Sequence, residues 1–523
     1  MNIANLPVML RVQLRTGWKA LLGWLGATVS LMGVTAVAMQ RSYGTPEKIA
    51  AYAGSVGTGP AIEMLNGEIA GINTLGGILA NEYGFIASFV LPIMGIALVS
   101  RSTRREEAAG RLELLLASAI GRHAPLAAAL LITAAVSVLM GLGCWASTLG
   151  TDVDPVGAAW YSAGLVALTL VFAAVAALAA QVVESNRGVW MIGLGVALVS
   201  YLVRGLGAVN DAWYVWLSPH GWFDEIRSFG DARAWPMAIS LAAGLLLAGA
   251  AVLLNTRRDL GAALVHARPG APRASAWLRS EWGMAAHEHR GGIIGWIIGA
   301  ATVMAIYGSL TQQVVDALDA IPELKRYVDG ALDSLMAMFL LMASMLAAAA
   351  GIVLGGSLRG AETSGRIEVL LAGPRSRVGW ILRHLAITSL GSLLVLWAGA
   401  MALAGSAQVS LGDNRLWPSV MRATVTHIPV VLVFSGLSVL LFVVAPRQRA
   451  WLWAFFGAAG FVAYMASALR IPDWFADNTP FLIIGQVPAE PVRWFGVVVM
   501  GGTALLVHVL TPIYFRHRNL PVV

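Results

Sequence analysis

The stretch "EEAAGRLELLLASAIGR", residues 106–122, is charged although apolar segments surround it, and a close copy, "AETSGRIEVLLAGPRSR", occupies residues 361–377. A shift of 255 positions superimposes nine identical residues around the two copies. The matched pairs are Arg104 and Arg359, Glu107 and Glu362, Gly110 and Gly365, Arg111 and Arg366, Glu113 and Glu368, Leu115 and Leu370, Leu116 and Leu371, Ala117 and Ala372, and Arg122 and Arg377. The repeat predicts a chain that is a tandem duplication of one fold.

Each copy has the apolar spacing of a short amphipathic helix. The apolar side chains that share one face are Leu112, Leu115 and Leu116 in the first copy and Ile367, Leu370 and Leu371 in the second. Glu107 precedes Arg111, and Glu362 precedes Arg366, by the four residues that favour an ion pair on a helix. The pattern predicts one amphipathic helix per copy, lying along the membrane surface. Because the pattern is kept in both copies, we expect a partner protein to dock on each helix. The alternative is that the helices only anchor the neighbouring spans.

The composition indicates an integral membrane protein. The chain is 58% hydrophobic and only 12% charged, with a mean hydropathy of +0.73. A soluble domain carries about 25% charged residues, because polar groups must cover its surface. The bilayer is therefore expected to surround most of this chain.

Apolar segments about as long as a bilayer is thick divide the chain into twelve predicted transmembrane helices. They lie near 20–39, 83–100, 124–148, 156–183, 188–208, 235–254, 291–310, 334–355, 379–404, 420–445, 450–470 and 492–514. We expect an all-α fold with a first six-helix half at residues 1–254, a cytoplasmic linker at 255–290 and a second six-helix half at 291–523. The repeated stretch falls between the second and third spans of each half.

Other landmarks return in the same order in the second half. "GWLG" at residue 23 is matched by "GWIIG" at 295, and "RRDL" at 257 is matched by "HRNL" at 517. Six crossings bring the chain back to the side from which it started, so both halves enter the membrane from the same side. The two halves are expected to form a pseudo-dimer around a central interface, where a path across the membrane fits.

The chain has a net charge of +7. Membrane topology explains this excess of basic residues better than nucleic-acid binding does. Most lysines and arginines fall in predicted loops that share one side of the membrane. The positive-inside rule then places both termini in the cytoplasm of a multi-pass plasma-membrane protein. We expect no nucleic-acid partner.

No motif for chemistry within this chain emerges from the sequence. A phosphate-binding loop needs a lysine directly after a glycine, but Lys19, Lys48 and Lys325 follow Trp18, Glu47 and Leu324. The single cysteine, Cys144, builds neither a disulfide nor a cysteine metal cluster. We expect a membrane permease with no catalytic residues, no metal site and no cofactor of its own.

An ion-gradient-coupled transporter of two parallel six-helix halves is the alternative function. Such coupling ordinarily needs titratable groups in the middle of the membrane. Glu82 and Glu184 fall near the ends of predicted spans, and His508 is a lone histidine in an apolar run, which favours a packing role. Ion coupling is the weaker hypothesis.

The repeated order Glu, x, x, Gly, Arg, x, Glu, x, Leu, Leu, Ala resembles the cytoplasmic loop of ABC-2-type exporter permeases, particularly the fused permeases of actinobacterial multidrug and tetronasin-type exporters. The resemblance implies that each copy is a coupling helix seated in a separate ATPase subunit, which would bind ATP and Mg²⁺. Two ATPase copies would bind one chain. The residues implied in coupling are Arg104, Glu107, Gly110, Arg111, Glu113, Arg122, Arg359, Glu362, Gly365, Arg366, Glu368 and Arg377.

The resemblance also implies export of drugs or antibiotics, and the nearly uncharged spans favour an apolar or amphipathic substrate. Flexible methionines and aromatic rings suit varied ligands. The candidate path residues on the second and eighth spans are Phe85, Phe89, Met94, Met338, Phe339, Met342 and Met345. Ala361 and Pro374 replace Glu106 and Ala119 in the second copy, so the two docking sites need not be equivalent.

Overall fold

The fold is known from a computed structural model. It describes residues 2–56, 60–259, 261–265, 273, 275–309, 311–312, 315, 328–373, 375–412, 416–466 and 471–519. Within these ranges the regular structure is helical, and the chain divides into two compact units, Met1–Gly270 and Ala271–Val523.

The first unit begins with a long helix and contains six long helices in all among its described residues. Its α-helices are α1 (Leu6–Tyr43), α2 (Pro46–Val56), α3 (Pro60–Asn66), α4 (Leu75–Ser102), α5 (Arg104–Ala108), α6 (Arg111–Leu116), α7 (Ala124–Thr148), α8 (Pro155–Val182), α9 (Asn186–Val209), α10 (Pro219–Asp224) and α11 (Ala234–Arg257). Side-chain caps start several of them, because the first turn of a helix leaves backbone N–H groups without partners. Asp154 accepts a hydrogen bond from the Gly157 amide at 2.6 Å, for example.

The alanine-rich helix α8 lies at the centre of the first unit and packs against α4, α7, α9 and α11. Small side chains let these backbones approach closely, as is common between helices in membranes. Gly95 of α4 shows how close the approach is, since a Cβ placed there would lie 2.6 Å from the Thr169 carbonyl oxygen of α8. The outer helix α11 instead exposes large apolar side chains such as Leu245 and Leu246, as a lipid-facing helix does.

The second unit repeats this order of long helices with a short helix pair after the second. Its α-helices are α12 (Glu281–Ser309), α13 (Val328–Gly356), α14 (Leu358–Thr363), α15 (Arg366–Leu371), α16 (Arg377–Leu411), α17 (Leu416–Val444), α18 (Ala450–Met465), α19 (Asp473–Ala476) and α20 (Trp494–His517). Helix α17 is the central one and packs against α13, α16 and α20. It corresponds to α8, and the pairing of α12 with α16 corresponds to that of α1 with α7.

The predicted all-helical membrane protein is confirmed. In the described part of the chain, 11 helices are long and apolar enough to cross a membrane, and each coincides with a predicted span. The remaining predicted span, 450–470, is the shorter apolar helix α18 at Ala450–Met465; residues 467–470 lie outside the described residues.

The first long helix of each unit starts earlier than its apolar segment. Helix α1 begins at Leu6 rather than near residue 20, and α12 begins at Glu281 rather than near 291. Hydropathy marks the part of a helix that suits a bilayer, whereas backbone hydrogen bonding continues through charged turns beyond it. Residues 281–290 of the predicted linker are therefore helical, and the division between the two units falls within the remainder of that linker.

Candidate functional site

Each copy of the repeated stretch folds into two short helices rather than the single predicted amphipathic helix. The first helix pair is α5 and α6, and the second helix pair is α14 and α15. A glycine in the left-handed region separates the helices of each pair, Gly110 with φ 69° and Gly365 with φ 69°. A Cβ on either glycine would meet no atom within 4 Å, so the backbone conformation, and not close packing, requires glycine here.

Replacing Gly365 with alanine is expected to destabilise the second helix pair by about 1 kcal/mol, because an L side chain is strained at this φ. Gly360 of α14 is a matched control, since a Cβ there also meets nothing within 4 Å and its backbone is helical. Gly360→Ala is expected to be neutral or stabilising by up to about 1 kcal/mol. Thermal unfolding of both variants in detergent would measure the difference, and equal destabilisation would contradict the backbone explanation.

The break at the glycine changes which charges pair. Arg111 forms a two-pronged ion pair with Glu106, with both nitrogen to oxygen distances 2.7 Å, and Arg366 contacts Glu288 at 3.4 Å. The predicted pairs of Arg111 with Glu107 and of Arg366 with Glu362 are therefore wrong. They assumed one continuous helix through all four positions, and the left-handed glycine rotates the arginine away from that face.

Glu107 lies inside the first unit, where an arginine from a distant part of the chain holds it. Both carboxylate oxygens accept hydrogen bonds from Arg258, at 2.8 and 3.0 Å, and the Gly261 amide donates a third at 2.7 Å. Arg104 adds an ion pair at 3.2 Å. The side chain of Glu107 is only 4% exposed. Arg258 directly follows α11, so this contact ties the first helix pair to the end of the last long helix.

The second unit has the same arrangement. Glu362 accepts a hydrogen bond at 2.5 Å from Arg518, the residue that directly follows α20. The repeated arginine completes both sites, since Arg122 donates to the Arg258 carbonyl and Arg377 donates to the Arg518 carbonyl at 3.1 Å. We call these the first clasp (Glu107, Arg258 and Arg122) and the second clasp (Glu362, Arg518 and Arg377).

The two arginines at the helix ends, Arg258 and Arg518, are the residues that the sequence reasoning missed. The signal was present, because "RRDL" and "HRNL" place an arginine at the same point of each half. Both were interpreted as markers of the duplication alone. An ion pair is expected when a glutamate and an arginine are both repeated and neither has another assigned partner. That inference connects Glu107 with Arg258 and Glu362 with Arg518.

Each helix pair also turns one large apolar side chain outward. Leu114 is 76% exposed and Val369, at the matched position, is 78% exposed. Their neighbours Leu112 and Ile367 are buried instead. Arg111, Arg366 and Glu113 lie on the exposed side with them. The second helix of each pair thus carries one exposed apolar side chain, Leu114 or Val369, with charged side chains around it. We call this side chain the apolar point of its helix pair.

This chain is similar in sequence to known multidrug efflux permeases. The family described as "Multidrug efflux system permease Rv1217c, C-terminal domain" matches residues 278–516. The multidrug efflux system permease protein Rv1217c of Mycobacterium tuberculosis is 30% identical over 501 residues, which cover 93% of this chain and 91% of that protein. The chain belongs to this family of multidrug efflux permeases. The resemblance to actinobacterial multidrug exporter permeases is confirmed.

The candidate path residues of the permease fall into two groups. Met94 is fully buried, and Phe339 is 2% exposed, with its ring 4.7 Å from that of Tyr307; both pack inside their own unit. The others reach further out: Phe85 and Phe89 form an edge-to-face pair, Met342 and Met345 are half-buried, and Met338 is exposed. For this second group the path role stays a prediction.

Two of the titratable groups in or near the spans, Glu82 and His508, have local partners. Glu82 accepts a hydrogen bond from Tyr52 at 2.6 Å. His508 contacts the Ser389 hydroxyl at 2.9 Å and the Ala504 carbonyl at 2.8 Å. These contacts give both side chains a packing role, which agrees with the hypothesis for His508.

Proposed function

We propose that this permease is the membrane-spanning subunit of an ATP-driven exporter of the ABC-2 type. In this proposal it moves apolar or amphipathic drugs out of the cell. The observation that carries the proposal is the pair of repeated helix pairs, each fastened by a clasp and each with one exposed apolar side chain at a matched position. The M. tuberculosis relative is a multidrug efflux permease, and this similarity supports export of drugs.

Two copies of a separate ATPase subunit are the proposed partners, and they would bind ATP and Mg²⁺. The absence of a lysine after any glycine in the sequence supports a separate source of ATP hydrolysis. Exposed apolar and charged side chains suit a docking surface. We therefore assign docking to Leu114, Val369 and the charged side chains beside them. Glu107 and Glu362, which are buried in the clasps, hold the helix pairs in place instead.

The proposed topology puts the helix pairs and both termini in the cytoplasm of a plasma-membrane protein. Within the first unit, the amino terminus lies beside the first helix pair, since the Gly121 amide donates to the Ala4 carbonyl at 2.9 Å. In the second unit, Arg518 near the carboxyl terminus lies in the second clasp. Each terminus thus shares the side of its own helix pair.

The clasps suggest how ATP hydrolysis would be transmitted. A push on a helix pair would act on Glu107 or Glu362, then on the arginine at the end of α11 or α20. Ion pairs that are buried and fixed at several points transmit displacement better than exposed ones, because the groups cannot move independently. The long helices of each unit would then tilt and alternate access to the substrate.

The proposal is tested by co-purification of the permease with an ATPase encoded beside it. The variant Leu114→Glu with Val369→Glu puts a charge on each apolar point, and its affinity for the ATPase is expected to fall at least about tenfold, since burying an unpaired charge is costly. Leu149→Glu is the control, because Leu149 is also exposed but lies at the opposite end of α7. Its assembly should match that of the unsubstituted chain.

Two results would contradict the proposal. Full assembly of the double variant would exclude the apolar points from docking. Drug transport that continues without ATP, but stops when a proton gradient is dissipated, would favour an ion-coupled transporter.

A further inference from the structure

An open pocket rich in arginine lies beside the second helix pair. Its volume is about 520 Å³, and Arg359, Arg447 and Arg518 line it together with a single carboxylate, Glu362. A volume of this size accommodates a small-molecule headgroup. The lining therefore has two more positive than negative side chains.

The positive charge in this pocket is largely uncompensated. Arg518 pairs with Glu362, but its Nη1 atom is buried and has no hydrogen-bond partner. In the described part of the chain, no hydrogen bond or ion pair is made by the guanidinium group of Arg359 or of Arg447. Burial lowers the pKa of Arg518, the paired Glu362 raises it in part, and repulsion from Arg359 lowers it again, with a net lowering. A bound anion would relieve that repulsion.

A fourth arginine adds to the same excess. The guanidinium of Arg449 packs against the backbone of α13 at Gly356. Burial lowers the pKa of Arg449, and the neighbouring Arg359 lowers it further. The charges of these arginines therefore act on one another at this end of the second unit.

The cavity beside the first clasp provides a contrast within the same chain. The cavity there is smaller, about 190 Å³, and its two arginines, Arg122 and Arg258, are balanced by Glu107 and Asp259. Arg104, the counterpart of Arg359, is buried and donates hydrogen bonds to the carbonyls of Ala180 and Ala262 at 2.6 and 2.8 Å. The excess positive charge is thus a property of the second unit and not of the repeat.

The surroundings of the pocket are those of a membrane boundary. It lies where α17 ends and α18 begins, and Val444 at that end of α17 is 57% exposed. Trp451, in the first turn of α18, is 73% exposed. Tryptophan is enriched where the headgroups of a bilayer meet its hydrocarbon. A ligand here meets arginines and exposed apolar side chains together.

We propose that this pocket binds the phosphate headgroup of an anionic phospholipid. Arginine forks match phosphate oxygens in two-pronged hydrogen bonds, and basic pockets between membrane helices select anionic headgroups. The acyl chains would lie along the exposed apolar surface near Val444 and Trp451. This site shares Glu362 and Arg518 with the second clasp and assigns Arg359 to lipid rather than to coupling.

The test measures lipid binding to the full-length chain without any ATPase. The chain is placed in nanodiscs of phosphatidylcholine with or without phosphatidylglycerol, and native mass spectrometry counts the lipids that it retains. The variant is Arg359→Gln with Arg447→Gln, which leaves the pair of Glu362 with Arg518 intact. The control, Arg105→Gln with Arg187→Gln, removes the same charge from exposed positions of the first unit.

The unsubstituted chain is expected to retain phosphatidylglycerol in preference to phosphatidylcholine. The pocket variant should bind phosphatidylglycerol roughly tenfold more weakly or worse, because each arginine near the surface adds to the attraction. The control should bind as the unsubstituted chain does. Equal loss in both variants, or no preference for the anionic lipid, would overturn the proposal.

A separate arm distinguishes lipid from free phosphate. Soluble glycerol phosphate is added to the chain in phosphatidylcholine nanodiscs, where the pocket has no anionic lipid. Binding as tight as that of phosphatidylglycerol would replace the lipid by a soluble phosphate ligand. Much weaker binding supports the lipid, since the acyl chains then contribute. Unchanged unfolding temperatures of the variants in phosphatidylcholine alone would show that the fold is intact.

Discussion

Replacing Glu107 with leucine is expected to lower the free energy of unfolding by about 3–5 kcal/mol, because it breaks a buried ion pair and leaves charge without a partner. Arg258 would lose its two hydrogen bonds to the carboxylate, and Arg104 would lose its ion pair. The Gly261 amide would lose its acceptor as well. Thermal unfolding in detergent, followed by a fluorescence probe, would measure the loss.

The second clasp offers a matched comparison. Glu362 accepts one hydrogen bond from Arg518, and the Arg518 side chain is 12% exposed. Glu362→Leu is therefore expected to cost clearly less than Glu107→Leu. Glu107→Gln, which keeps an acceptor for the Gly261 amide, should fall between the unsubstituted chain and Glu107→Leu. The same loss for both leucine variants would mean that the extra partners of Glu107 add no stability.

In the proposed ATP-driven exporter, replacing Arg258 and Arg518 together with lysine is expected to uncouple ATP hydrolysis from transport while leaving the complex with the ATPase assembled. Lysine keeps the charge but lacks the planar fork that holds both carboxylate oxygens. The helix pairs would stay folded with looser attachment to α11 and α20. A residue within a coupling network changes coupling by up to about 2 kcal/mol, or roughly thirtyfold. Drug-stimulated ATPase activity and drug transport are the measurements.

Assembly and coupling must be measured on the same samples. We expect the lysine variant to co-purify with the ATPase as the unsubstituted chain does, in contrast to the variant of Leu114 and Val369. Arg105→Lys is a control, because Arg105 lies in α5 but outside the clasp and should be fully coupled. Normal drug stimulation in the double lysine variant would exclude the clasps from transmission.

Local and compositional signals were enough to predict most of the fold. Eleven of the twelve predicted spans could be recognised because a bilayer imposes a minimum length and an apolar composition on each helix separately. The duplication could be recognised because the repeated stretch and the ends of the halves keep their order. The sequence also excluded a phosphate-binding loop for ATP, since such a loop has a fixed local spacing that is absent here.

The partners of individual side chains were decided by the tertiary structure. Glu107 and Arg258 are 151 residues apart, and Glu362 and Arg518 are 156 apart, so no local spacing predicts their contact. Local reasoning paired Glu107 with Arg111 instead, and a single glycine in the left-handed region made that pairing impossible.

Composition and periodicity thus determined which segments are helices, because both properties act within one helix. The repeated order of the motifs determined that the two halves repeat. Which charges are buried, which apolar side chains stay exposed and where arginines collect without partners depended on packing between distant helices. Arg104 and Arg359 make the distinction plain. They match in the repeat, yet the fold gives the Arg104 guanidinium two carbonyl acceptors and gives that of Arg359 none among the described residues.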